Sequence, residues 1–208
     1  MTEQTVYVVD DDADVRDSLQ WLLESVGLSV RAYENAQQFL DGYIADSSGC
    51  ILMDVRMPGL SGISAQKKLP DYGIEMPLIM ISGHGSVDMA VTAMTQGART
   101  FIEKPFNDQV LLDHVQQALE QDLANRASQN QLLVVQQNYT ALTKRERQVF
   151  EQVARGLANQ EIADLLGISR KTVEGHRANL MNKMAAQSLP ELIQMAISLG
   201  LITGLASH

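Results

Sequence analysis

VYVVDDD, residues 6–12, is an apolar run of strand length that ends in three carboxylates. The plan recurs at ILMD (51–54), LIMIS (78–82) and TFIEK (100–104), each an apolar run closed by a polar residue capable of chemistry. Short runs of this kind, alternating with stretches of helical periodicity, describe parallel strands joined by crossover helices. In an open parallel sheet, ligands gather beyond the carboxyl ends of the strands. Asp10, Asp11, Asp54, Ser82 and Lys104 should therefore meet at one rim, an acidic cup edged by a cation and a hydroxyl.

Outward from these runs, residues 14–26 place Val15, Leu19, Leu22, Leu23 and Val26 on one helical face, and Gly27 stops it. Residues 28–32 form a short second strand, and 36–43 a helix with Phe39 and Leu40 inward. Pro58, Gly59 and Gly62 punctuate a loop before a helix at 61–68. After the fourth strand, Val87, Ala90, Val91 and Met94 are expected as the inward face of a helix ending at Gly97. A last helix opens near Asn107 with Val110, Leu111, Val115, Ala118 and Leu119 in helical register. The fold class is thus an α/β (βα)5 domain with a five-stranded parallel sheet over residues 1–121.

Between Pro105 and Gly156 there is neither Gly nor Pro, although the segment is rich in Gln and Asn. One reading is a helical linker over 122–139, continuing the last helix past Glu120 through Leu123 and Ala127. A helix of roughly 30 residues would be about 45 Å long and would hold the two domains apart. The other reading is a flexible tether. Leu123, Ala127, Leu132 and Leu133 keep no strict heptad, so the segment should not form a stable coiled coil alone.

Residues 140–208 read as an all-α unit of four helices. Thr143 with Glu146 makes a capping box ahead of Val149, Phe150 and Val153. Asn159 is expected to cap 160–166, with Ile162, Ala163 and Leu166 inward. Gly167-Ile168-Ser169 turns the chain, and Ser169 caps 170–184. Ser188 and Glu191, with Pro190 in the first turn, open a final helix to about Leu199. Helix, short turn and helix over 160–183 has helix-turn-helix geometry. Val173, Leu180 and Met184 share one face of the second helix; Lys171, Glu174, Gly175, Ala178 and Asn179 share the other, with Arg170 at its start. Glu174 suits a cytosine amine and Asn179 an adenine, with Gly175 and Ala178 allowing close approach. Arg170, Lys171, Arg177 and Lys183 suit phosphates, and His176 either joins them or packs.

Charge divides the same way. The net of −9 hides 19 Asp/Glu against 7 Lys/Arg over 1–124, a net of −12, and 6 against 9 over 125–208, a net of +3. An acidic first part and a mildly basic last part imply two domains with different partners. No apolar stretch reaches the about 18 residues of a membrane span, and no segment has the form of a signal peptide, so a cytoplasmic protein without membrane contact is expected. Cys50, the single cysteine, reads as a buried small hydrophobe.

Closely placed carboxylates need a cation among them, and all-oxygen ligation suits Mg²⁺. With Asp54 as nucleophile and Lys104 and Ser82 holding phosphoryl oxygens, the cup has the parts for phosphoryl transfer by positioning and electrostatics. The bland alternative for Asp10-Asp11-Asp12 is a solvated loop or helix cap. The competing enzyme reading is a haloacid-dehalogenase-like phosphatase, a family that carries its aspartate nucleophile in a first-strand DxD. Here a DDD run stands on the first strand and the separate aspartate on the third, so turnover as an enzyme is not expected.

VVDDD, MDVRMPGLSG (53–62), SGHG (82–85) and FIEKPF (101–106) resemble the receiver domains of two-component response regulators. The resemblance implies phosphorylation of Asp54 by a histidine kinase, with slow autodephosphorylation the remaining chemistry. It implies Mg²⁺ held by Asp10, Asp11, Asp54 and the Arg56 carbonyl, with Ser82 and Lys104 on the phosphoryl group. It further implies a cis Lys104–Pro105 bond and a switching aromatic at Phe101, which lacks the hydroxyl that relatives with Tyr have. LTKRERQVF (142–150), NQEIADLLGISRKTVEGHRANLMNKM (159–184) and SLPELI (188–193) resemble LuxR-type DNA-binding domains. Together they are similar to the FixJ group and, within it, to regulators of styrene catabolism. That implies a phosphorylation-dependent transcription activator that dimerises on promoter duplex DNA and engages RNA polymerase. The alternative is a phospho-controlled protein-binding module without DNA binding.

Overall fold

The computed structural model describes residues 4–83 and 87–202 and divides into two compact units, 1–126 and 127–208. In the first unit, β1 (Thr5–Val9), β2 (Ser29–Tyr33), β3 (Gly49–Asp54), β4 (Leu78–Ser82) and β5 (Thr100–Glu103) form one parallel sheet in the order β2-β1-β3-β4-β5. Helices α1 (Ala13–Ser25), α2 (Ala36–Gly42), α3 (Gly62–Lys68) and α4 (Val87–Thr95) make the crossovers, and α5 (Asp108–Thr140) follows β5. Alternate residues of each strand feed opposite faces. Tyr7, Val9, Ile51, Met53 and Met80 enter one apolar cluster with Phe39 and Leu40; Val6, Val8, Leu52, Ile79 and Ile81 enter the other with Leu19, Leu23 and Leu111. β3 and β4 are buried along their whole length, covered on both faces, which is why they are near-continuous apolar runs up to the Asp54 and Ser82 that end them. Cys50 lies in this core, and burial pushes its thiol up to about 12.

Some inward faces differ from expectation. In α4, Val87, Val91 and Met94 are exposed; Ala93 is buried and Ala90 half-buried. Periodicity marks an apolar stripe but not which side meets the sheet, and the small Ala93 allows the closer approach. Val26 and Val110 are likewise exposed, Val26 because it already caps α1.

The second unit contains α6 (Lys144–Ala154), α7 (Asn159–Leu166), α8 (Arg170–Met184) and α9 (Leu189–Ser198). Its core gathers Val149, Phe150, Ile162, Val173, Leu180, Met184 and Leu192. Val135 and Tyr139, from the last turns of α5, belong to it as well. The Tyr139 and Phe150 rings lie 5.8 Å apart. Helix α5 is unbroken for 33 residues, so the Gln-rich segment is helical. Thr143 and Glu146 form the full capping box, and Ser169 caps α8 through the Thr172 N–H. Asn159 is not the cap of α7: Ala158 holds that place, with its N–H donating to the Glu161 carboxylate at 2.7 Å. Asn159 is freed to accept from Arg177 instead, at 2.8 Å.

Candidate phosphoryl-acceptor site and nucleic-acid interface

Strand register builds the cup. Val9 lies beside Met53, Asp54 beside Ile81, and Ser82 beside Glu103, so the residues that end β1, β3, β4 and β5 stand in a row. Lys104 N–H donates to the Ser82 carbonyl at 2.8 Å, and the Lys104–Pro105 bond is cis. The Lys104 ammonium then reaches back across the sheet end, 2.7 Å from Asp10 Oδ2 and 2.8 Å from Asp54 Oδ1. Asp54 Oδ2 accepts the Arg56 N–H at 2.6 Å. Asp10 Oδ1 accepts the Asp12 N–H at 3.0 Å, and the Asp10 carbonyl accepts from Arg16 at 2.7 Å. Asp12 stays outside the cup and caps α1.

Gly62 is required beside this site. A Cβ on it would stand 2.2 Å from the Asp54 carbonyl oxygen, where the loop after β3 folds back and Gly62 N–H donates to Val55. Phe101 is half-buried and packs against the cluster that includes Met80 and Ala93. An open groove lined by Val15, Trp21, Leu22, Pro105 and Phe106 begins at Lys104, and Trp21 is 73% exposed in it.

The electrostatics are those of a site short of positive charge. Burial pushes the Asp10 carboxyl up, and the bond from Lys104 offsets this only in part. Burial alone would lower Lys104, but its bonds to Asp10 and Asp54 outweigh that and hold the ammonium above its ordinary value. Ser82 is buried at the rim. Asp11 is exposed, and among the described residues no three His, Cys, Asp or Glu side chains converge as a metal site. The ammonium itself lies between Asp10 and Asp54. Asp10 and Asp54 offer hard carboxylate oxygens, and the upward push on the Asp10 carboxyl is what a further cation would relieve. His84 and Gly85 of the SGHG run lie outside the described residues.

In the second unit, α8 follows α7 across Gly167, which closes α7 in the left-handed region at φ 64°. Val173, Leu180 and Met184 are buried; Lys171, Glu174, Gly175, Ala178 and Asn179 are exposed together, and His176 is half-buried. Arg170 donates to Glu174 at 3.0 Å on the exposed face. Arg177 is turned to Asn159. Lys183 binds the buried Glu146 at 2.8 Å, which together with the Thr143 N–H holds that carboxyl down at about 2. The structure thus occupies Arg177 and Lys183 within the domain, where the sequence suggested phosphate contacts.

The family profile described as "Response regulator receiver domain" matches residues 6–116, and that described as "Bacterial regulatory proteins, luxR family" matches 140–196. The transcriptional regulatory protein FixJ of Azorhizobium caulinodans is 46% identical over 94% of this chain and 92% of its own. The chain belongs to the FixJ-type response regulators. The response regulator TodT of Pseudomonas putida is 40% identical to the regulator over 91% of this chain and 84% of its own. The solved structure of the response regulator StyR matches it with a TM-score of 0.81 and 40% identity, over 93% of this chain and 98% of that one. The regulator is a two-component protein with an Asp-Asp-Lys receiver site and a LuxR-type helix-turn-helix, a DNA-binding unit. Its site has the form of a phosphoryl acceptor rather than that of a turnover enzyme. Among the described residues no helix is long and apolar enough to cross a membrane.

Reasoning from sequence missed one buried anchor in the receiver. Asp122 accepts from the Ser48 hydroxyl at 2.5 Å and the Gly49 N–H at 2.9 Å, and pairs with Arg126 at 3.0 Å. Arg126 also donates to the Asp46 and Ser47 carbonyls. An Asp and an Arg four residues apart on a helix were visible; their partners, more than seventy residues earlier, were not.

Proposed function

We propose that the regulator accepts a phosphoryl group on Asp54 from a histidine kinase, with Mg²⁺ bound, and then dimerises on promoter DNA. The observation that carries this is the placement of Lys104 across Asp10 and Asp54 at the end of the sheet. An Asp54 oxygen attacks the phosphorus, the phosphorus–nitrogen bond of the donor's phosphohistidine breaks, and the imidazole leaves. The product is an acyl phosphate on Asp54. Lys104, already in bonding distance of that carboxylate, is placed to transfer its contact to a phosphoryl oxygen, and Ser82 stands at the same rim. Asp10, Asp11, Asp54 and the Arg56 carbonyl would hold Mg²⁺, which lessens the repulsion between the phosphoryl oxygens and the carboxylates. The groove at Trp21 and Phe106 gives the donor protein a surface beside the acceptor.

Phosphorylation draws Ser82 inward, lets Phe101 repack and reshapes the β4–α4 surface, a population shift between two receiver states. Dimerisation follows, because one helix-turn-helix makes limited contact and paired half-sites multiply it. Glu174, Gly175, Ala178 and Asn179 face the major groove, while Arg170, Lys171 and His176 approach phosphates. Activation then proceeds through RNA polymerase. Labelled acetyl phosphate with Mg²⁺ should label wild type, and neither Asp54→Asn nor wild type in excess chelator; label retained in Asp54→Asn sinks the reading. With beryllofluoride the full chain should sediment as a dimer. Selection from a random duplex pool should return a paired motif, and an unenriched pool would favour a protein-binding module.

A further inference from the structure

Helix α4 lies largely exposed on the receiver. Of its residues Ala93 is buried, whereas Val87, Val91 and Met94 are 79%, 55% and 45% exposed. A polar hold comes from α3: Gln66, itself 5% exposed, donates from Nε2 to the Ala93 carbonyl at 3.0 Å. That carbonyl already accepts the Ala98 N–H at 3.0 Å, so the backbone does not depend on Gln66 for a partner. The other end of the amide, Oε1, is buried and meets no donor among the described residues. A buried acceptor left unmet costs more than an apolar group of the same shape. Leucine or methionine at this place would remove the unmet oxygen and strand nothing else. A buried polar side chain that stability does not require can specify one arrangement over another.

We propose that Gln66 is a positioning residue that sets α4 in the arrangement where Lys104 bridges Asp10 and Asp54. Release of its bond to Ala93 is part of the passage to the phosphorylated arrangement. The proposal rests on the reading of Asp54 as acceptor given above. Ala65, Met89, Ala93 and Phe101 pack with the same apolar cluster, so α3, α4 and the β5 aromatic meet in one core. β4 ends at Ser82 and α4 begins at Val87, so the phosphoryl-binding hydroxyl and the helix are close neighbours in sequence.

Gln66→Leu and Gln66→Met in the full chain test this, with thermal unfolding showing which variants fold. The rate of Asp54 labelling by a small phosphoramidate with Mg²⁺ and the dimer fraction in sedimentation without phosphodonor are then measured. Both should rise roughly three- to tenfold, the shift in a two-state equilibrium that one net hydrogen bond commands. A purely structural role would lower Tm and move neither readout. A folded variant with wild-type labelling rate and wild-type dimer fraction overturns the proposal. Should wild type label on Asp54 without associating, the dimerisation reading fails, and the labelling rate alone decides the role of Gln66.

Discussion

At Glu146 one buried carboxylate accepts from the Thr143 N–H at 2.8 Å, the Thr143 hydroxyl at 2.9 Å and the Lys183 ammonium at 2.8 Å. These hold its pKa at about 2, below the ordinary 4.5, so the ionised form favours the folded state. The stabilisation is complete above about 4.5 and is lost as pH falls toward about 2. Glu146→Gln should lower unfolding stability by roughly 1–3 kcal/mol at neutral pH, the cost of leaving a charged hydrogen-bond partner behind. The gap between urea midpoints of the variant and wild type should narrow steadily as pH falls from about 4.5 toward about 2; an unchanged gap across that window would contradict the assignment. The Thr143–Glu146 half of this cluster was legible because a capping box is local in sequence. Lys183 was not, because its partner lies 37 residues away. The same limit explains Asn159: an Asn before a helix reads as its cap, and only the fold shows Arg177 competing for it. Asp10, Asp54 and Lys104 were legible despite their separation, since strand ends of a parallel sheet are brought together by topology alone.

The loop from β3 into α3 and the recognition helix α8 show what an element demands of its residues. Gly62→Ala would drive a Cβ into the Asp54 carbonyl at the end of β3, so the backbone there must shift. The variant should lose roughly 1–3 kcal/mol and label more slowly on Asp54. Unfolding curves and labelling rates check this together, and wild-type values in both would show that the loop relaxes freely. On α8, Lys171 is exposed on the face proposed to meet DNA, while Lys183 is committed to Glu146. Lys171→Ala should lower the slope of log affinity against log salt by about one, as expected when a phosphate contact is removed. Lys183→Ala should leave that slope alone and lower Tm. Equal slopes for both variants would return Lys183 to the phosphate contacts. The sequence located both elements because Gly, Pro and cap residues bound them. It misassigned the inward face of α4 because Val87, Val91 and Met94 are apolar without being core.

Across the whole molecule, the helix that leaves the receiver takes part in both units. Asp122 and Arg126 bind the loop ahead of β3, and Val135 and Tyr139 complete the core around Phe150. Residues 1–126 should therefore unfold at a higher temperature than 1–121, because the shorter piece leaves the Ser48 hydroxyl and the Gly49 N–H without their buried acceptor. Identical melting of the two pieces would mean that solvent replaces Asp122 at no cost. For domain exchange between relatives, the family matches, which stop at 116 and resume at 140, are poor places for a seam. A graft joined there inherits Gly49 from one parent and its acceptor from another, and Phe150 without the tyrosine shaped to it. A seam within 127–134 keeps each native pair together, so hybrids joined in that interval are the ones that should couple a foreign input to this reader.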